Sequence, residues 1–102
     1  MTTDKVTFEN IGAGRFRIEG RLDFNSVVQA LATSQHLFAE LHAIQLDLSG
    51  VSAIDSAGLA LLIEWISRAK RSNCHLSFRN VPAQAMAIAR ISDVEKLLPI
   101  AA

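Results

Sequence analysis

The chain has 102 residues, half of them hydrophobic and a fifth charged, a balance that supports one packed core and excludes disorder. Ten Lys and Arg offset ten Asp and Glu, and no basic run is dense enough to hold nucleic-acid phosphates. Cys74 is the single cysteine, and His36, His42 and His75 are scattered without ligand spacing, so no disulfide framework, metal centre or cofactor is expected.

Met1-Thr2-Thr3-Asp4 carries neither the basic nor the apolar region of a secretory leader. The purest apolar run, Leu59 to Ile63, is too short to span a bilayer, so a cytosolic protein is expected. Val6-Thr7-Phe8 and Phe16-Arg17-Ile18 each alternate apolar with polar around the turn residues Gly12-Ala13-Gly14, which predicts a hairpin. That Gly-Ala-Gly lacks the third glycine and the following helix of a dinucleotide site. Asn25 and Ser26 are capping residues for a first helix running to about Leu41, with Val27, Val28, Leu31, Phe38 and Leu41 as its apolar positions.

Ala43 to Ser49 alternates next, with Ile44, Leu46 and Leu48 on one face and Gln45, Asp47 and Ser49 on the other, as in a strand covered on one side. Asp55-Ser56-Ala57-Gly58 precedes the strongest helix, Leu59 to about Lys70. After the break at Ser72-Asn73, Leu76-Ser77-Phe78 reads as a strand, and Pro82 opens a third helix through Met86, Ala87 and Arg90. Val94 to Ile100 fits either a helical turn or an edge strand. The order ββαβαβα, with right-handed βαβ crossovers, predicts an α/β fold: a mixed, mostly parallel sheet of four or five strands with helices mainly on one face. A ligand would sit at the C-terminal ends of the parallel strands, where Asp55 and Ser56 fall.

On a wheel of about 100° per residue, Leu59, Leu62, Ile63 and Ile66 form one stripe of the second helix, read as its core face. Leu61 and Trp65 fall roughly opposite, bordered by Glu64 and Arg68, a composition suited to anchoring a partner protein. The alternative is that the tail, or the loop before Asn25, folds over this face and makes it core. Asp55 and Ser56 have no histidine, second carboxylate or oxyanion donor beside them to complete a nucleophile's machinery, so no catalytic residue is assigned.

The run Leu46-Asp47-Leu48-Ser49-Gly50-Val51-Ser52-Ala53-Ile54-Asp55-Ser56-Ala57-Gly58-Leu59-Ala60-Leu61-Leu62, with Ile18-Glu19-Gly20-Arg21-Leu22-Asp23 upstream, resembles the signature of the STAS domain family of sulphate transporters and anti-sigma-factor antagonists. The resemblance implies a STAS-like single domain over residues 1–102 that is not an enzyme. The run from Gly58 to Lys70 is most similar to the MlaB-type members. Those imply a cytoplasmic subunit, peripheral to the inner membrane, that supports the ATPase subunit of an ABC transporter moving phospholipids for outer-membrane lipid asymmetry. The other implied partner is an anti-sigma-factor serine kinase, with Ser56 matching the family's phosphorylated position. Ser56 itself suits three roles: a helix cap, a partner contact, or a phosphorylation site whose phosphate, beside Asp55, would release a partner.

Overall fold

Alternating side chains build the first two strands, β1 (Thr7–Gly12) and β2 (Arg15–Leu22), which pair antiparallel with Phe8 opposite Ile18. The computed structural model describes residues 5–101; residues 1–4, on which the expectation of a leaderless start rests, and residue 102 lie outside that range. Gly12, Ala13 and Gly14 all take positive φ, as the tight reversal demands.

Helix α1 (Val27–Leu37) is shorter than the sequence pattern suggested. The Phe38 N–H makes the last helical bond, to the Ser34 carbonyl, and the chain then turns through Glu40 at φ 66°, so Phe38 and Leu41 pack on the core from a turn rather than from a helix. Ser26 stands at the N-cap, yet its hydroxyl makes no bond to the helix. It is spent on the Arg21 carbonyl and on the Asp23 N–H, which tightens the turn after β2.

Strand β3 (Ala43–Ile54) is longer than the alternation of Ala43 to Ser49 implied. Two register shifts against β2 explain the difference: β3 carries one more residue between Asp47 and Gly50 than β2 does between Arg17 and Glu19, and again one more between Val51 and Ala53. Each extra residue inverts the in–out phase, so the pattern dissolves after Ser49 although pairing continues to Ile54. Helix α2 (Ser56–Arg71), β4 (His75–Arg79) and α3 (Ala83–Ile91) follow, with Pro82 at the start of α3. The tail uses both of its predicted forms in turn. A 3₁₀ turn spans Glu95–Leu97, and Ile100 then bridges Phe78 on the outer side of β4.

The sheet order is β1-β2-β3-β4, with β2, β3 and β4 mutually parallel. Two successive right-handed crossovers stepping the same way leave both connecting helices on one face. Phe16, Ile18, Leu46, Leu48 and Phe78 point to that face and are buried. The other face is polar: Arg17 reaches Glu9 at 3.0 Å and Asp47 at 3.8 Å, and Asn80 donates to Asp47 at 2.9 Å. Among the described residues no helix is long and apolar enough to cross a membrane.

The packing of α2 corrects one expectation. Leu61 and Trp65 do not face outward; they are 4% and 2% exposed, inside the core. Helix α2 touches α1 on one side, α3 on the other, and β2, β3 and β4 beneath. Its buried arc, from Leu61 through Trp65 and Leu62 to Leu59, therefore covers roughly 160° rather than one narrow stripe. Neither the tail nor the loop before Asn25 does the sealing. Trp65 donates its Nε1–H to Ser34 Oγ of α1 at 2.9 Å and packs against Phe38 and Phe8, with ring centroids 5.9 and 6.0 Å away. The outward side of α2 carries Ser56, Ala60, Lys70 and Arg71, with Ile63 and Glu64 at its margins.

Candidate functional site

The carboxyl ends of β2 and β3 meet the start of α2, and this junction assembles the site. Asp55 is the N-cap of α2: one carboxylate oxygen accepts from the Gly58 N–H at 3.0 Å and the other from the Phe24 N–H at 3.2 Å. One side chain thus ends the helix and ties the turn after β2 to it. The Gly58 hydrogen bond holds the Asp55 carboxyl below its ordinary value, against partial desolvation and with help from Phe24. A carboxylate committed in this way is an anchor, poorly placed to take up a proton from a substrate.

Capping by Asp55 frees its neighbour. Ser56 is the first residue of α2 and exposed, and among the described residues its hydroxyl has no hydrogen-bond partner. The cap reading of Ser56 is therefore replaced by one in which Asp55 caps and Ser56 faces solvent beside unpaired helix N–H groups.

Gly58 explains why the Asp-Ser-x-Gly spacing is needed. A Cβ there would collide with the Leu22 carbonyl oxygen and stand 2.5 Å from Ile54 Cγ1. The missing side chain lets the first turn of α2 lie directly on the end of β2, which brings Phe24 within reach of Asp55.

Sequence reasoning missed two residues of this surface. Phe24 and Val28 are each 79% exposed, one on the turn held by Asp55 and the other in the first turn of α1. An outward phenylalanine on a turn is not encoded by periodicity. The usable signal was that Phe24 directly precedes the capping pair, where the chain must emerge from the sheet.

The other predicted residues lie apart. Glu64 and Arg68 pair with each other at 2.7 Å, and both are half-buried on α2. Eight residues separate Ser56 from Glu64, about 12 Å of helix, so the ion pair is not part of the Ser56 junction. Among the described residues, no three His, Cys, Asp or Glu side chains converge as a metal site would require.

Comparison with solved structures finds the same fold in several proteins. The chain is similar to the anti-sigma factor antagonist SpoIIAA in its unphosphorylated form, with TM-score 0.70 and 17% identity over 95% of this chain and 88% of that one. The Bacillus cell fate determinant SpoIIAA in the phosphorylated form gives 0.65 and 17% over 95% and 91%. SLC26A9 gives 0.59 and 20% over 81% of this chain but only 16% of its own. No curated protein matches the chain by sequence. The family model described as "Mlab, STAS domain" matches residues 9–99, nearly the whole length, and the chain accordingly belongs to the STAS domain family.

Proposed function

We propose that this protein, residues 1–102 acting as one docking unit, is a non-catalytic cytoplasmic subunit of an ABC-type phospholipid transport system. In this reading it binds the transporter's ATPase subunit and meets the inner membrane only through that complex. The observation that carries it is the junction at the start of α2: an exposed Ser56 relieved of capping by Asp55, with the outward Phe24 on the turn that Asp55 holds. A turn pinned by Asp55 that presents a large apolar side chain beside free helix N–H groups has the composition of a protein contact. The MlaB description of the matching family supports the choice of partner. Leu61 and Trp65, being core, take no part in this surface, and Glu64 with Arg68 contributes at most a peripheral contact.

Co-expression with the ATPase subunit of the host's transporter tests the reading. Joint purification is expected, reduced about tenfold or more by Ser56→Asp and by Phe24→Ala, in line with the loss of an interface anchor. Failure of the wild-type chain to co-purify would sink it.

A second reading is favoured by the same free hydroxyl and by the likeness to SpoIIAA, which occurs in unphosphorylated and phosphorylated forms. Here the chain is an anti-sigma-factor antagonist whose partner is a serine kinase that modifies Ser56. Intact mass after incubation with host lysate and ATP separates the two, because only this reading requires a phosphate that Ser56→Ala abolishes.

A further inference from the structure

At the end of the molecule remote from Ser56, the last turns of α1 and α2 part over the start of β3 and β4 and leave a cleft of about 430 Å³. Its floor is apolar and aromatic, formed by Phe38, Leu41, Ile44, Trp65 and Leu76. Arg68 and Arg71 border it, Arg71 with about two thirds of its side chain exposed. The volume falls within the roughly 300–1,000 Å³ of small-molecule sites, and the apolar floor is accompanied by polar side chains, among them Glu40, His42 and Ser72 as well as the two arginines.

We propose that this cleft binds a small amphiphile with an apolar body and a carboxylate head. The aromatic and aliphatic floor takes the body. The head is directed to Arg71, because the two guanidiniums at the rim are not equivalent. Arg68 Nε donates to Glu64 Oε2 at 2.7 Å, whereas Arg71 Nη2 stands 3.8 Å from the same oxygen, beyond hydrogen-bonding distance. The Arg71 donors therefore remain available, in the planar fork that suits a carboxylate. Helix-end carbonyls would repel an anion, but several of those in the last turns are engaged. Ser72 N–H donates to the Arg68 and Ala69 carbonyls, Cys74 N–H to Ala69, and Phe38 N–H to Ser34. Glu40 also lines the cleft and disfavours a negative head on its own side, which leaves the Arg71 side for it. This site does not depend on the transporter reading, since no residue of the Ser56 junction borders it.

Trp65 is the chain's one tryptophan and Cys74 its one cysteine, and both line the cleft, so each reports on it without added labels. Decanoate, decanol and decyltrimethylammonium, each kept below its micelle concentration, are titrated against the intact chain. Decanoate is expected to change Trp65 emission saturably, to bind about tenfold more tightly than decanol through the charge-assisted contact, and to slow alkylation of Cys74. Arg71→Gln, at an exposed position, is expected to keep the melting temperature and remove the preference for decanoate. A saturable signal from none of the three, equal affinity for decanol and decanoate, tightest binding of the cation, or an unchanged preference in Arg71→Gln would each overturn the proposal.

Discussion

At the residue scale, two neighbours divide one task. Asp55 holds α2 and the turn at Phe24 through two backbone N–H groups, while Ser56 contributes nothing visible to the fold. Asp55→Ala is expected to lower unfolding free energy by about 1–2 kcal/mol, and Ser56→Ala to stay within about 0.5 kcal/mol. Urea denaturation of both variants checks the division, and equal losses would return the cap to Ser56. Inside, Ser34→Ala strands the indole N–H of Trp65 and is expected to cost about 1–3 kcal/mol, while Trp65→Ala opens the aromatic cluster at about 3–5 kcal/mol. The motif around Asp55 and Ser56 was legible because it is local. The burial of Trp65 was not, because it depends on Ser34, thirty-one residues away in sequence.

At the element scale, the hairpin, the three helices and the parallel strands could be read because each buries one periodic face. Reading failed where tertiary packing overrode the period. The bulges of β3 scrambled its alternation after Ser49, and the three-sided enclosure of α2 turned a supposed outward strip into core. Both failures concern β3 and α2, the central strand and helix. The contact between α2 and β2 also yields a prediction. Gly58→Ala cannot be absorbed by a side-chain shift alone, since the colliding Leu22 oxygen is backbone. Circular dichroism melting is expected to show a loss larger than the few tenths of a kcal/mol of a surface substitution, although alanine is the better helix former. A stabilised variant would show that α2 does not rest on β2 as described.

For the whole molecule, acid should act through two carboxylates. Burial works against the charge on Asp47, but the Asn80 and Ser49 hydrogen bonds and the Arg17 guanidinium outweigh it, so its carboxyl, like that of Asp55, titrates below the ordinary 3.8. A folded-state value below the unfolded one gives stability that is complete above the unfolded value and lost as pH falls through the folded one. The melting temperature is therefore expected to hold steady from neutrality down to about pH 5 and to fall below it. Asp55→Asn, which keeps an acceptor for the Gly58 N–H but not for that of Phe24, should flatten part of that fall while costing about 1 kcal/mol at neutral pH. An equally steep decline in the variant would remove Asp55 from the account.

The tail's seat on β4 sets a limit on assembly. Phe78 exchanges hydrogen bonds with Pro99 and Ala101, so an incoming strand must evict the tail, whereas β1 has a strand on one flank only among the described residues. Polymers that grow by adding strands need two vacant borders on every unit, and this architecture offers one. Two copies joining there would exhaust each other's capacity, so assembly through strand addition should stop at a pair, which sedimentation at rising concentration checks.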